Sequence, residues 1–331
     1  MKDHGLVRYQ KVYLRELKKF ENVISKLFSK SEPHSLYEPC SYAIKSGGKR
    51  IRPFLVLFSA KALKGKYSDV YNAAVAVELL HNFTLVHDDI MDNSDKRRGR
   101  PTLHKKYNNN TAILTGDNLN GLAYKYLLKD VKNDSKKILS TFTQGIIEVC
   151  EGQSLDKEFE SRKSVSITEY KTMIYKKTAA LAEMCCSIGA QLVHGNEKQV
   201  SALANYGKNL GMAFQIQDDL LDIIGKEKEF GKKIGSDLIE GKKTYLFLRA
   251  LEKANKDEKK LLYIVIKNRG IQQKEVGSFK KLYEKLGVIS DAKKEIVHYT
   301  NNALKNLSVL PDNEGKNMLV WLANSLINRT N

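Results

Sequence analysis

The sequence predicts an all-α protein, and three of its features support that prediction. Only five of the 331 residues are proline, and none of them lies between Pro101 and Pro311. This long stretch therefore lacks the residue that most strongly interrupts a helix. Apolar residues recur at helical spacing, and few segments show the strict alternation of a half-buried strand. Several predicted helices reach about 25 residues, a length that favours a large helical bundle.

Three helical segments can be placed from local signals. The first begins near residue 68 or 69 and continues through Val86. The second opens at Ser166-Ile167-Thr168-Glu169, a capping-box pattern in which two side chains satisfy free amide groups, and continues to about residue 195. The third runs from about residue 197 to 224 and ends at Gly225, a residue suited to a helix C-cap.

Two segments interrupt the helical pattern. Residues 45–52 (Lys-Ser-Gly-Gly-Lys-Arg-Ile-Arg) form a basic sequence centred on glycines, which predicts a turn. Residues 225–243 combine glycines and lysines with Asp237, which predicts a loop between two helices. No solenoid repeat, low-complexity linker or shift in composition divides the chain. We therefore predict one domain spanning residues 1–331.

The charge balance is basic, with 56 Lys and Arg against 38 Asp and Glu and a formal net charge of +18. This balance suits anionic partners such as nucleic acid, a lipid surface or phosphorylated substrates, without choosing among them. Much of the excess lies in lysine-rich stretches such as 253–260, where acidic residues are interleaved. We interpret such a stretch as a solvated helix face.

Membrane and redox signals point to a cytoplasmic location. No apolar run approaches the ~18 residues that a membrane span needs, and no apolar core follows the N-terminal residues as in a secretory signal. The four cysteines form no CxxC pair. We expect them to be buried thiols in a reducing compartment, with no disulfide framework or zinc site.

Two carboxylate clusters are the strongest chemical feature: Asp88-Asp89-Ile90-Met91-Asp92 and Asp218-Asp219-Leu220-Leu221-Asp222. Residues four apart share a helix face, about 6 Å apart along the axis, so the first and last aspartates of each cluster project together. Mutual repulsion and the helix C-terminus both disfavour this arrangement. A bound Mg²⁺ would supply the missing charge, because it prefers oxygen ligands and completes its shell with phosphate oxygens. One such cluster alone could be an exposed acidic helix end, but two copies favour metal binding.

Basic residues accompany both clusters. Arginine can grip phosphate oxygens through two parallel hydrogen bonds, and lysine supplies a compact charge. The residues concerned are Arg97, Arg98 and Arg100 after the first cluster, Lys177 on the intervening helix, and Lys232, Lys233 and Lys242 after the second. For Arg100 or Lys233 alone a simple salt bridge is the simpler interpretation. Together they predict a diphosphate ligand that is bound through metals and directly.

With these features the chain resembles the trans-isoprenyl diphosphate synthases (polyprenyl synthetases), over roughly residues 35 to 250. The matching segments, in order, are Gly47-Gly48-Lys49-Arg50-Ile51-Arg52-Pro53, His81 through Asp92, Arg97-Arg98-Gly99-Arg100-Pro101-Thr102, Thr115-Gly116-Asp117, Glu151-Gly152-Gln153 with Leu155-Asp156, Lys177-Thr178, Phe214 through Asp222, Gly231-Lys232, Gly235-Ser236-Asp237 and Gly241-Lys242. The chain departs from the family at Lys243-Thr244-Tyr245, where a proline commonly follows the lysine-threonine pair.

The resemblance implies an all-α homodimer of the isoprenoid synthase type, with helices around a deep central cavity and both aspartate motifs at its mouth. It implies a prenyltransferase that condenses isopentenyl diphosphate with allylic diphosphates, dependent on Mg²⁺, with three ions when the allylic diphosphate is bound. The metal ligands implied are Asp88, Asp92, Asp218 and Asp222. The groups that would bind the leaving diphosphate and stabilise its growing charge are Arg97, Lys177, Lys232 and Lys242.

The resemblance also assigns the second substrate and the reacting cation. Isopentenyl diphosphate would be held by Lys49, Arg52, His81 and Arg98, although His81 could alternatively be a structural histidine. Thr178 and Gln215 would face the allylic cation. His87 remains unassigned.

The resemblance implies that bulky residues just before the first motif block the growing chain at the floor of the cavity and so set the product length. Phe83 is the fifth residue before Asp88 and Thr84 the fourth, and the motif carries no insertion. One aromatic residue with a small neighbour resembles the archaeal-type geranylgeranyl (C20) synthases. A farnesyl (C15) product or a C15/C20 mixture is the alternative, and Phe83 could instead be ordinary core packing.

Other classes fit the sequence less well. A terpene cyclase usually has a different second motif and lacks the basic site around Lys49. A squalene- or phytoene-type enzyme has a different second-substrate site, and a non-catalytic subunit would be expected to have lost aspartates. A nucleic-acid binder is suggested by charge alone, without a recognised reading motif. We expect no specific nucleic-acid partner and at most peripheral membrane contact.

Overall fold

The computed structural model describes residues 2–225 and 234–327, and it confirms the all-α prediction. Within these residues the regular structure is helical apart from one two-stranded antiparallel sheet, in which β1 (Lys96–Arg97) pairs with β2 (Arg100–Pro101). The chain falls into two compact units. The first contains the described residues up to 142 with 185–201 and 309–321, and the second contains 143–184, 202–308 and 322–327 outside the gap at 226–233. The single domain stays a prediction.

The helices precede and follow the small sheet. Before it lie α1 (Lys2–Ser25), α2 (His34–Ile44), α3 (Ile51–Ala62) and α4 (Tyr71–Met91). After it lie α5 (Leu103–Lys106), α6 (Asn109–Asp130), α7 (Ser135–Ser161), α8 (Ile167–Ile174), α9 (Ala180–Leu192), α10 (Glu197–Ile224), α11 (Ser236–Ile239), α12 (Tyr245–Lys253), α13 (Lys256–Asn268), α14 (Val276–Lys285), α15 (Val288–Asn306) and α16 (Glu314–Ile327).

In the first unit, α4 packs along α6 and α3. The helix begins at Tyr71, slightly later than predicted, because residues 67–69 form a separate 3₁₀ turn. Its first turn is held by Asp130 at the end of α6, whose carboxylate accepts hydrogen bonds from the backbone N–H of Ala73 (2.8 Å) and from Asn72 Nδ2 (2.7 Å). This anchors the end of α4 that is distant from its aspartates.

In the second unit, the predicted helix over 166–195 is present but not uniform. The capping box at its start is confirmed: Glu169 N donates to Ser166 Oγ (3.2 Å), and Ser166 N donates to Glu169 Oε2 (2.8 Å). After α8, residues 175–179 form a π-helical segment before α9 begins. Gly152 of α7 makes the close approach there, because a Cβ at that position would lie 2.6 Å from the Cα of Lys177.

The long helix α10 matches its predicted bounds and ends one residue before Gly225. The predicted loop that follows lies partly outside the described residues; its later part contains the short helix α11. Small residues bring α10 against the π-helical segment 175–179, since a Cβ at Gly211 would lie 2.9 Å from the Cβ of Ala179. The second aspartate motif begins on the same helix, at Asp218.

Two further predictions can be compared with the structure. No helix within the described ranges is long and apolar enough to cross a membrane. All four cysteines are free thiols, and Cys40, Cys185 and Cys186 are buried. Cys150 is exposed, so the prediction of a buried thiol is wrong for that residue: it lies on an outward position of α7.

Candidate active site

The first aspartate motif occupies the last turn of α4. Asp88 and Asp92 are half-buried, whereas Asp89 between them points inward and is only 6% exposed. The four-residue spacing therefore places two accessible carboxylates at the helix end, as predicted. Burial raises the pKa of Asp89, and the neighbouring guanidinium of Arg97 opposes that effect.

Arg97 contacts both the buried Asp89 and the more accessible Asp88 of this motif. Its Nε donates to Asp89 Oδ1 at 2.8 Å, and its Nη2 lies 3.2 Å from Asp88 Oδ2. Arg97 is held there by the hairpin β1–β2, whose turn at Arg98 and Gly99 has positive φ at both residues. The hairpin thus brings a predicted diphosphate-binding group to the first motif.

Arg98, at the tip of that hairpin, reaches the basic turn instead. Its guanidinium donates to the carbonyl of Gly47 and lies 3.4 Å from Ser46 Oγ. Gly48 has φ +130°, and a Cβ there would lie 2.7 Å from Arg98 Nη1. Positive φ favours glycine at both positions of the turn, and at Gly48 the close approach of this arginine adds a second reason.

Arg50 fixes the basic turn to the core, a role that sequence reasoning missed. Its buried guanidinium donates to Glu78 (2.6 Å), to Glu21 (2.7 Å) and to the carbonyl of Ile44 (2.7 Å). Two carboxylates and a carbonyl satisfy this otherwise costly buried charge. Lys49 and Arg52 flank this anchored residue in the chain.

Arg52 lies beside His81. Arg52 Nη1 is 3.1 Å from His81 Nε2. Because the guanidinium can only donate, Nε2 accepts and the ring proton is assigned to Nδ1. Burial, together with the charges of Arg52 and Arg98, holds the pKa of His81 well below its usual range. The histidine is therefore neutral at physiological pH.

Phe83 and Thr84 follow one turn closer to the motif. Thr84 Oγ1 donates to the carbonyl of His81 (2.8 Å), so this hydroxyl is used within its own helix. The half-buried ring of Phe83 meets the ring of His87 edge-on, with centroids 4.8 Å apart. The predicted chain-length residue thus has an aromatic neighbour one turn along α4.

In the second aspartate motif the neighbouring aspartates also differ in exposure and in hydrogen bonding. Asp219 is 5% exposed and its oxygens accept from Tyr170 Oη (2.5 Å), Tyr245 N (3.1 Å) and Gln215 Nε2 (3.0 Å). Burial raises the pKa of Asp219 to about 6 despite these donors. Asp218, in contrast, is half-buried. Tyr170 carries no sequence signal for this role, because its position depends on how α8 packs.

Asp222 is turned toward the start of α11. It is 5% exposed, and its carboxylate accepts from the backbone N–H of Ser236 and of Asp237 (both 3.1 Å) and from Ser236 Oγ (2.6 Å). These bonds satisfy free amide groups of the short helix. The role of Asp222 as a metal ligand stays a prediction. Its observed contacts hold residues 236 and 237 at the end of α10.

Next to it, Asp237 and Lys242 form a second charged group. Burial, followed by the charges of Asp222 and Asp219, raises the pKa of Asp237 to about 8. Lys242 Nζ lies 3.9 Å from Asp237 and 2.8 Å from Glu240. Burial disfavours its charge, but these carboxylates outweigh that effect and raise the pKa of Lys242. The only sequence signal for Asp237 is the glycine-containing segment in which it lies.

Lys177 and Thr178 lie in the π-helical segment, a kind of irregularity that often occurs at functional sites. Lys177 Nζ is 2.5 Å from Asp156 Oδ2, and Thr178 Oγ1 donates to Gln215 Oε1 at 3.0 Å. A cavity of about 120 Å³ in this unit is lined in part by Asp156, Lys177, Thr178, Gln215, Asp219 and Lys242. The structure therefore gathers the predicted residues Lys177, Thr178, Gln215 and Lys242. Lys232 lies outside the described residues.

The accessible carboxylates fit the preference of Mg²⁺ for oxygen ligands. Residues 2–225 and 234–327 contain no group of three or more His, Cys, Asp or Glu side chains arranged to hold a metal ion. Asp88 and Asp92 instead offer accessible carboxylates at one helix end. Mg²⁺ is usually bound by one or two carboxylates while waters and phosphate oxygens complete its shell.

Comparisons with known proteins agree on one family. A family model described as polyprenyl synthetase matches residues 33–286. The chain is 41% identical to the geranylgeranyl pyrophosphate synthase of Geoglobus acetivorans, over 92% of this chain and 94% of that protein. It is 44% identical to a short chain isoprenyl diphosphate synthase of Methanocaldococcus jannaschii, over 73% and 74%. Its fold is similar to the crystal structure of geranylgeranyl pyrophosphate synthetase from Pyrococcus horikoshii Ot3, with TM-score 0.88, 36% identity, and coverage of 97% and 99%.

Proposed function

Because this chain belongs to the polyprenyl synthetase family and is a prenyltransferase, we propose that it makes geranylgeranyl diphosphate (C20) from isopentenyl diphosphate and allylic diphosphates. The observation that carries the product length is the position of Phe83, half-buried on α4 five residues before the accessible Asp88. The names of relatives such as that of Geoglobus acetivorans support the same product. A C15 product or a C15/C20 mixture is the alternative.

The accessible carboxylates Asp88, Asp92 and Asp218 are proposed to hold Mg²⁺ against the allylic diphosphate. When bound, the metal stabilises the negative charge that grows on the leaving diphosphate. Arg97 is positioned to share that work, because its guanidinium already lies beside Asp88. Lys177 and Lys242 serve the same leaving group, and we extend this role to Lys232 from the family resemblance.

Isopentenyl diphosphate is proposed to bind at the basic turn, through Lys49, Arg52 and Arg98. Arg50 supports this site by fixing the turn to Glu21 and Glu78. His81 is neutral and accepts from Arg52, so it orients the guanidinium without adding charge. Arg52 is thus held by His81, and Arg98 by the carbonyl of Gly47, beside the turn that Arg50 anchors.

Thr178 and Gln215 are proposed to face the allylic cation. The amide of Gln215 is oriented from both ends, since Oε1 accepts from Thr178 and Nε2 donates to Asp219. Fixed dipoles of this kind stabilise a cation without capturing it, whereas a nucleophilic side chain would react with it. After the carbon–carbon bond forms, the departing diphosphate is the proposed base for the proton that is lost.

A homodimer and a cytoplasmic location complete the proposal. On α6 three large apolar side chains are exposed, Ile113 (43%), Leu114 (61%) and Leu128 (49%), which supports a partner surface on this helix. The free thiols support a reducing compartment. We propose no specific nucleic-acid partner and one domain over residues 1–331.

Product analysis tests the proposed function. Purified protein is incubated with isopentenyl diphosphate and, separately, dimethylallyl, geranyl and farnesyl diphosphate, with Mg²⁺ or with EDTA. We expect a C20 alcohol after dephosphorylation, formed only with the metal. A product that ends at C15 or extends past C25 would contradict the proposed C20 product length. It would still agree with the enzyme class. No elongation from any starter would contradict the function itself.

Replacing Phe83 tests the position of the cavity floor. We expect Phe83→Ala to shift the main product beyond C20, because the ring no longer blocks the growing chain. Tyr263→Ala is the matched control, since it also replaces an aromatic ring by a methyl group, at a position on α13 that is 57% exposed. An unchanged product from Phe83→Ala would remove this residue from the floor.

A further inference from the structure

A chain of contacts links the backbone of α6 to Phe83 through His87. His87 lies one turn after Phe83 on α4, and the two rings meet edge-on with centroids 4.8 Å apart. On its other side the ring faces α6: Nε2 is 3.3 Å from the carbonyl oxygen of Ile113 and 3.7 Å from Asp117 Oδ1. His87 is therefore held between the predicted floor of the cavity and the neighbouring helix.

Gly116 provides the space for that ring. It is buried within α6, and a Cβ built on it would overlap Nε2 and Cδ2 of His87. Gly121 on the same helix gives the contrast, because a Cβ there would meet nothing within 4 Å. Glycine in a helix interior is disfavoured relative to alanine. At position 116 it has a packing reason that is lacking at position 121.

Building on the proposed function, we propose that Gly116 and His87 are positioning residues that set the product length by holding the ring of Phe83. The edge-to-face contact favours one placement of the Phe83 ring, and the contacts with α6 limit how far His87 can move. A side chain at position 116 displaces the His87 ring and with it the surface that Phe83 packs against. The depth of the cavity floor then depends on Gly116, which lies on another helix and does not contact the growing chain.

The variant Gly116→Ala is suited to the test because the atoms it meets are the far end of one side chain. No backbone atom is among the nearest neighbours of the added methyl group, so the ring can yield while α4 and α6 keep their places. Gly121→Ala is the matched control, with the same chemical change on the same helix in open space. Thermal melting of both variants checks that they fold.

Product distribution is the decisive measurement, made with dimethylallyl diphosphate and excess isopentenyl diphosphate. We expect Gly116→Ala to change the ratio of C20 to the other chain lengths by about threefold to tenfold, the factor that an aromatic contact of this kind is worth. The rate of the first condensation should stay near that of Gly121→Ala, because the first product is too short to reach the floor. The same product ratio in both alanine variants would overturn the proposal.

Two further variants separate this proposal from the proposed function. The double variant Phe83→Ala/Gly116→Ala should give the products of Phe83→Ala alone, because Gly116 acts through the ring that is now absent. An additional shift of equal size in that background would overturn the proposal. His87→Ala removes the ring without adding volume, so it covers the case in which Gly116→Ala fails to fold, and it should also shift the products. If Phe83→Ala itself changes nothing, the floor assignment fails, whereas an inactive wild-type protein would contradict the proposed function.

Discussion

At the scale of single residues, equal spacing does not give equal surroundings. The sequence presents two identical aspartate patterns, and helical geometry predicts the same pair of projecting carboxylates in each. In the first motif both members of the pair are accessible, whereas in the second Asp222 is buried and bonded to the start of α11. Sequence reasoning could not find this difference, because it depends on a loop that returns to α10 from further along the chain.

Asparagine substitutions distinguish the two roles in the second motif. We expect Asp218→Asn to lower kcat by at least about a hundredfold with little change in Tm, the scale at which a key electrostatic group acts. Asp222→Asn should lower the free energy of unfolding by about 1–3 kcal/mol, because its new amide donors face the N–H groups of Ser236 and Asp237. Urea denaturation and steady-state kinetics of both variants test this. A large loss of stability in Asp218→Asn would reverse the assignment.

His81 gives a prediction for pH. Its pKa is lowered in the folded protein, so the native state binds fewer protons than the unfolded state once the pH falls below about 6.5. Wild-type stability should therefore decline from pH 7 to pH 5 relative to that of His81→Gln, by at most about 1.4 kcal/mol per pH unit. Urea unfolding of both proteins at pH 5, 6, 7 and 8 measures the difference. Parallel stability curves would mean that the pKa of His81 is not lowered in the folded protein.

At the scale of elements, local signals predicted helix ends well and helix interiors less well. The capping box at Ser166 and the end of α10 before Gly225 follow from short-range chemistry, and the structure confirms both. The π-helical segment at 175–179 and the 3₁₀ turn before α4 were missed. The π-helical segment reflects packing between helices, such as the approach of Gly152 to Lys177, which no local pattern encodes. The 3₁₀ turn is closed locally, by a hydrogen bond from Lys66 N to Asp69 Oδ2 (2.9 Å).

The capping box allows a stability test that leaves the site chemistry alone. Ser166→Ala removes the acceptor for the N–H of Glu169 and should lower the free energy of unfolding by about 1 kcal/mol. Ser166→Thr keeps the hydroxyl and serves as the control. Denaturant unfolding measures both. Equal stability of the alanine variant and the wild type would show that solvent replaces this bond without cost.

At the scale of the whole molecule, composition and periodicity were sufficient for the all-α class, and paired aspartates with basic companions were sufficient for the family. The division into two compact units was not visible in the sequence, because four helices (α7, α9, α10 and α16) carry residues of both units. No change in composition marks such a boundary. The net charge of +18 likewise says little about the fold.

That charge predicts a weak general affinity for polyanions. The protein should be retained on heparin at low salt, and log K should fall linearly with log salt concentration, since counterions are released on binding. The substrate-dependent reaction should follow a different salt dependence, because its site is built from specific contacts. Heparin chromatography and activity measured over the same salt series make the comparison. Retention that persists at high salt would indicate a specific polyanion site.

The contact between Arg97 and Asp88 has a consequence for the order of ligand binding. The first motif carries an internal counter-ion, so a Mg²⁺ ion arriving alone has to compete with a guanidinium that is already attached. A diphosphate offers this guanidinium another anion and leaves Asp88 to the metal. Each ligand would then raise the affinity of the other by the same factor, as thermodynamic linkage requires. Calorimetric titration should therefore find weak binding of Mg²⁺ by itself and tight binding once a diphosphate is present. Binding at this site is then an exchange of ions, in which Mg²⁺ replaces the guanidinium of Arg97 at Asp88.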